Sequence, residues 1–347
     1  MAVAVLAPFA FPALRGNAVT VQRIVAGLRE RAVSVALWDV SRTSDAVLCD
    51  EVERTRPRLI HSFHALRTGP VALRLARRLE VPLVVTLTGT DANHELLDAE
   101  NAPHVRRVLE GAAVVTAFDA SIVEHVAAIL PDLRARLVVV PQAVRFEAGG
   151  TFDLNARGRL PADRVLFVVA GGIRPVKAPR AVLPAFDRVV LAEPRVRLLY
   201  AGPVLDAVEG AALTAALAPR PWALHVGTVP HAEMPSLLAQ SDVVVNCSIS
   251  EGGMANSILE GMALGRPVLA SDIPGNRGLV EHGVNGLRFT TGDQLAGAAL
   301  SLARDGALRA RLGANGRARV EREFAPAREI DGYLAVYRGL VPAVATA

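Results

Sequence analysis

The stretch Ser250–Gly265, SEGGMANSILEGMALG, with RPVLAS behind it to Ser271, decides the fold. After the apolar run VVVN it reads as a strand end, a glycine turn, a short helix and a second buried strand. Glu251 and Glu260 bracket the turn and the helix start. The first N–H groups of a helix are unpaired and carry partial positive charge, so the place suits an anion. Gly252 and Gly253 remove side chains where a ligand would press on the main chain. A carboxylate beside such a turn cannot hold phosphate, yet it accepts hydrogen bonds from sugar hydroxyls. Anion site and hydroxyl acceptors together describe a nucleotide sugar. A purely structural alternative stands beside this. Ser257 and Glu260 have the spacing of a capping box, and Ile258, Leu259, Met262 and Ala263 form the buried face of one helix. Spacing alone leaves both readings open for Glu260 and for Glu251.

Outward from this stretch the chain alternates strand and helix. Ala2–Ala7 is an apolar run, followed by a loop ending RGNAVT and by Val21, Ile24, Val25 and Leu28 at helical spacing. Strands are expected at Val33–Leu37 and Arg58–Ser62, a helix at Pro70–Leu79, and then the strand of VPLVVTLTGTD. The three-glycine dinucleotide fingerprint is absent, which disfavours a nicotinamide cofactor. His61, His64, Arg67, Thr88, Thr90, Asp91, Asn93 and His94 gather at strand ends, the edge where open parallel sheets bind ligands. The two histidines lack a carboxylate or cysteine that completes a metal set. EAGGTFDLNARGRLPAD reads as a linker, and alternation restarts at VLFVVAGGIRPVKAP. The expectation is α/β: two Rossmann-like domains facing across a cleft, residues 1–148 and 160–330, with an amphipathic helix at about 331–347 crossing back to the first.

Composition narrows the class. At 347 residues the chain has room for two cores, and its 4% aromatic content leaves Val, Ala and Leu to fill them, as in parallel sheets covered by helices. The net charge of +4 is spread among alternating acids, and no basic stripe interleaved with aromatics argues for nucleic acid. Arg74, Arg77 and Arg78 share one helix face; a solvated face explains them, with peripheral membrane contact as the minority reading. The opening MAVAVLAPFAFPAL lacks a charged start and carries two prolines, so it reads as strand and loop rather than a signal peptide. Cys49 and Cys247 form no metal or redox spacing, which makes a reducing cytoplasm the default. Lys177 is the only lysine. With Arg174, three residues before it in a glycine loop, it could reach one pyrophosphate; surface charge is the alternative.

GGIRPVKAP (171–179) followed by SEGGMANSILEGMALGRPVLASDIPGNRGLVEHGVNGLRF (250–289) resembles the donor domain of glycosyltransferase family 4, which has the GT-B fold. RGNAVT, TLTGTD and PQAV fit its N-terminal half. Within the family the chain looks closest to glycosyltransferase 1 domain-containing proteins, and it shares the Gly-Asn loop and the GTD turn with bacterial selenosugar synthases. The resemblance implies that Arg174 and Lys177 hold the donor diphosphate and neutralise it as it leaves, and that Glu251 contacts sugar hydroxyls. Gly253 and Met254 would offer N–H groups in a donor turn that includes Gly252, Ala255 and Asn256, and Glu260 would bind the ribose. Gly16 and Asn17 would close over the phosphates. Asp91, Asn93 and His94 would face the acceptor, with Thr88 where many members carry histidine. Two further departures are visible. The glutamates stand one residue further apart than usual, and Gly172 occupies the place of a common arginine, with Arg174 substituting.

The implied activity is a retaining transfer of a hexosyl group from a nucleotide-diphosphate sugar, by front-face attack of an unidentified acceptor. It would need no metal and no cofactor, and the Asp-x-Asp signature of metal-dependent transferases is nowhere in the chain. Alternatives are a selenosugar synthase-like transferase and a non-catalytic nucleotide-sugar-binding protein.

Overall fold

In the computed structural model, residues 1–10, 16–146, 149–157 and 160–341 are described here. The chain divides into two compact units, Met1–Ala143 with Ala325–Ala347, and Val144–Phe324.

Unit 1 is built on a six-stranded parallel sheet: β1 (Ala2–Ala7), β2 (Ser34–Asp39), β3 (Leu59–Phe63), β4 (Leu83–Thr86), β5 (Val114–Ala117) and β6 (Leu137–Val139). Their order is β2-β1-β3-β4-β5-β6. Val3 of β1 lies opposite Val35 on one side and Leu59 on the other. These strands are short apolar runs rather than alternating ones because helices cover both faces. The helix Gly69–Leu79 shows how the sequence divides its faces. Val71, Ala72, Leu75 and Ala76 are buried, while Arg74 and Arg78 point outward and pair with Asp45 and Glu53.

Two expectations for this unit change. RGNAVT does not continue as loop to Thr20: the first helix already starts at Gly16 and runs to Glu30. The closing helix spans Pro326–Leu340, earlier than expected, and the final six expected residues, 342–347, lie outside the described ones. That helix belongs to unit 1 and packs on the first helix. A Cβ at Gly27 would come within 2.6 Å of Ile330, so glycine permits the close approach. Arg23 and Glu329 form a buried ion pair at 2.7 Å. Tyr337 Oη sits 2.6 Å from His61 Nδ1, and burial pushes the His61 pKa down to about 3, so the ring is neutral.

Unit 2 repeats the architecture with β7 (Val165–Ala170), β8 (Val196–Ala201), β9 (Ala223–His225), β10 (Val243–Asn246), β11 (Val268–Ser271) and β12 (Gly286–Phe289). The order is β12-β11-β10-β7-β8-β9, all parallel. β7 and β10 are neighbours at the centre, so their C-terminal ends, GGIRPVK and CSISEGG, emerge side by side. The described residues of the segment read as a linker are part of this unit. Phe152 and Leu154 are buried, the Phe152 N–H donates to Ser236 Oγ at 3.1 Å, and Gln240 Nε2 donates to the Phe152 carbonyl at 2.8 Å. Among the described residues no helix is long and apolar enough to cross a membrane.

Candidate functional site

The crossing from β7 to the loop after it is made by glycine. Gly171 has φ +150°, a conformation that L side chains rarely adopt. Across from it, a Cβ at Gly202 would stand 2.1 Å from the Gly171 carbonyl. At Gly172 the space a side chain would take is filled by Leu205, 2.4 Å from an ideal Cβ. An arginine there would have to displace the end of that leucine side chain. Arg174 follows in extended conformation and leads a single 3-10 turn, Pro175–Lys177.

That turn is stitched to the loop after β10. The Ile249 N–H donates to the Val176 carbonyl at 3.0 Å, and Cys247 Sγ donates to the Lys177 carbonyl at 3.2 Å. The stitching aims Lys177 at the glycine turn, where Nζ lies 2.5 Å from Glu251 Oε1. The same oxygen accepts from Ser248 Oγ at 2.6 Å and Asn246 Nδ2 at 3.0 Å. Burial pushes the Glu251 pKa upward, but the Lys177 charge and these hydrogen bonds outweigh it and hold the carboxyl below its usual range. Behind the pair, Asn276 Nδ2 donates to Asn246 Oδ1 at 3.1 Å, fixing the amide that reaches Glu251.

The turn itself is main chain. Gly253 has φ +118°, and a Cβ on Gly275 would fall 2.7 Å from the Gly253 carbonyl, so the glycine at 275 lets the next loop press directly beneath. Met254 and Ala255 are buried, Gly252 and Asn256 half-buried. The helix runs from Asn256 to Ala263 and its N-cap is Ala255, which makes no side-chain cap. The capping-box reading therefore fails: Ser257 is already inside the helix. Glu260 does not reach back either; its Oε1 faces His231 Nε2 at 3.3 Å. His231 had no signal in the sequence, since it sits in a short polar loop far from its partner.

In unit 1 the residues expected to face an acceptor divide sharply. Asp91 is fully buried, and its carboxylate accepts main-chain N–H groups from Ala65, Thr88, Gly89 and Ala92 at 2.8 to 3.1 Å. It ties the turn after β4 to the turn after β3 and presents nothing outward, which corrects its expected role. Asn93 is half-buried and His94 exposed. Thr88 is half-buried, with its Oγ1 enclosed and without a hydrogen-bond partner. Gly16 and Asn17 open the first helix, the glycine exposed and the asparagine half-buried.

Glu95, unremarked in the sequence, joins this edge. The turn Asp91–Glu95 is π-helical, a form that concentrates at functional sites, and it swings Glu95 inward. Glu95 Oε2 lies 3.7 Å from His64 Nε2, and His64 holds φ +86°. Burial, reinforced by the Asp91 charge, pushes the Glu95 pKa up to about 7. Among the described residues no group of three or more His, Cys, Asp or Glu is arranged to hold a metal ion.

Comparison with known proteins accords with this geometry. Residues 163–305 match the family described as "Glycosyl transferases group 1". The chain is 30% identical over 259 residues to glycosyltransferase 1 domain-containing protein 1 of Xenopus tropicalis, covering 73% of this chain and 75% of that one. Among solved structures it is similar to Anabaena Alr3699/HepE in complex with UDP and glucose, with TM-score 0.79, 18% identity, and 98% and 100% of the two chains covered. Sucrose-phosphate synthase from Thermosynechococcus elongatus gives TM-score 0.80 at 19% identity, covering 98% and 99%. The two six-stranded sheets are those of the GT-B fold. With a relative at that identity and coverage, and with the donor-half motifs lying within the matched region, the chain belongs to the group 1 glycosyltransferases.

Proposed function

We propose that this glycosyltransferase moves a hexosyl group from a nucleotide-diphosphate sugar to a hydroxyl-bearing acceptor, with retention of anomeric configuration and without metal or resident cofactor. The observation that carries the reading is the Lys177–Glu251 pair, a cation held at 2.5 Å from a largely buried carboxylate at the edge of a glycine turn. When a donor enters, Lys177 exchanges that carboxylate for a phosphate oxygen, and Arg174 and the N–H groups of Gly253 and Met254 assist. Glu251, released, accepts from a sugar hydroxyl. Glu260 takes the ribose hydroxyls, with Gly172, Gly252, Ala255 and Asn256 shaping the floor.

In the transfer the acceptor oxygen bonds to the anomeric carbon as its bond to the diphosphate oxygen breaks. The acceptor proton passes to that departing oxygen, on the same face. Negative charge grows on the diphosphate, and fixed cations in a partly dry site stabilise it without reorganisation. Lys177 and Arg174 supply the charge that a divalent ion supplies in other transferases. The solved complex of a similar fold with UDP and glucose supports a nucleotide sugar as donor. In the same reading Asn93, His94 and Thr88 serve the acceptor, and Gly16 and Asn17 serve the donor phosphates. A cytoplasmic setting belongs to the same reading and is supported by both cysteines being free thiols.

The test is calorimetric titration with UDP-, GDP- and ADP-sugars in EDTA, followed by isotope-labelled donor. Binding weakened in Lys177→Ala and product retaining its anomeric configuration are expected. Donor bound but never consumed, by any acceptor or by water, would leave a binding protein instead.

A further inference from the structure

Glu260 does not stand alone. Its Oε1 receives the Nε2–H of His231 at 3.3 Å, and both side chains are largely buried, at 16% and 11% exposure. Because a carboxylate can only accept, the shared proton sits on the imidazole. His231 is itself held rigidly. It opens a single 3-10 turn, His231–Glu233, after Pro230, whose carbonyl accepts the N–H groups of Glu233 and Met234 at 2.9 and 3.2 Å. Gly150 backs the turn so closely that a Cβ there would stand 2.3 Å from the Ala232 carbonyl. Behind it, Leu237 and Leu238 are fully buried. Glu260 is anchored just as firmly, on a helix whose Ile258, Leu259 and Met262 are in the core.

A glutamate side chain has three rotatable bonds, and a half-buried one without a fixed donor spreads over several rotamers. The imidazole removes that freedom by holding Oε1, which leaves Oε2 for an incoming group. Two vicinal hydroxyls need a carboxylate in one orientation, whereas a single hydroxyl tolerates many. We propose that His231 is the positioning residue of ribose recognition, fixing Glu260 so that the site selects ribonucleotide donors over 2′-deoxyribonucleotide ones. The inference rests on the donor reading above, in which Glu260 meets the ribose.

Calorimetric titration of the full chain with UDP, ADP and GDP and their 2′-deoxy forms tests it, taking the base that binds tightest. The wild type should prefer the ribonucleotide. His231→Ala should weaken that ligand by about tenfold while leaving the 2′-deoxy form nearly unchanged, which flattens the preference. His231→Gln, which returns an N–H near the Nε2 position, should restore it. Equal loss for both sugars, or no loss, overturns the positioning role even where donor binding stands. A wild type that binds no nucleoside diphosphate overturns the donor reading itself, and this inference with it.

Discussion

Asp91 is a buried carboxylate and Glu251 a largely buried one, both just beyond the C-terminal end of a parallel strand, and their neighbours differ in kind. Asp91 is surrounded by main-chain N–H groups from two turns that follow adjacent strands. Glu251 is held by side chains, of which Lys177 reaches it on a flexible stem. The first arrangement is scaffolding. In the proposed function the second is an exchangeable contact, in which the lysine takes another anion without disturbing the fold. What surrounds a buried charge, more than its burial, separates structure from site.

Four experiments would break or sharpen that contrast. Asp91→Ala strands several buried N–H groups and should lower the unfolding free energy by about 3–5 kcal/mol, read by urea denaturation. Asp91→Asn should lose less, since one oxygen remains. If Asp91→Ala is as stable as the parent, the scaffolding role is wrong. Lys177→Ala should reverse the pattern, with kcat down about 10²–10³-fold in a donor-consumption assay and a smaller loss of stability than Asp91→Ala.

Glu251→Gln is the sharper probe. Without its counter-ion Lys177 is free for phosphate, so a nucleoside diphosphate should bind about fivefold tighter while sugar transfer slows, and unchanged affinity would show that the pair does not compete with the ligand.

Glu95 gives the smallest effect. Its ordinary value is 4.5 and its folded value about 7, raised by burial, with Asp91 and Asp98 pushing up and Arg67 pulling down, and with His64 facing its buried oxygen. The folded state holds the proton more tightly, so this contribution to stability is full below pH 4.5 and is lost as pH rises to about 7. Glu95→Gln stays neutral throughout. Its Tm should exceed that of the wild type by a few degrees at pH 8 and match it at pH 4, and equal Tm at both would sink the buried-carboxyl account.

The strands of both units were legible because central parallel strands are short apolar runs, as in VLFVVA and VVVN. That Lys177 meets the glycine turn at 252–253 was legible from the family resemblance of the two motifs, since spacing alone left surface charge open. The start of the first helix was misread because glycine and asparagine favour loops locally, while burial of Ala18 and Val21 draws Gly16 and Asn17 into the helix. Asp91 was misassigned because a sequence shows that a carboxylate lies at a strand end but not which way it turns. Glu95 and His231 escaped notice because a π-helical turn orients one and a tertiary contact defines the other, and neither leaves a period or a motif.

Helix Pro326–Leu340 completes unit 1, although unit 2 lies between it and the rest of that unit in sequence. On the ribosome, the contiguous unit 2 can finish folding while unit 1 still waits for Glu329 to meet Arg23 and for Tyr337 to cover His61. Until then the incomplete half exposes an apolar face around Ile24 and Leu28, so nascent chains in which this helix has not docked are the ones chaperones should recognise.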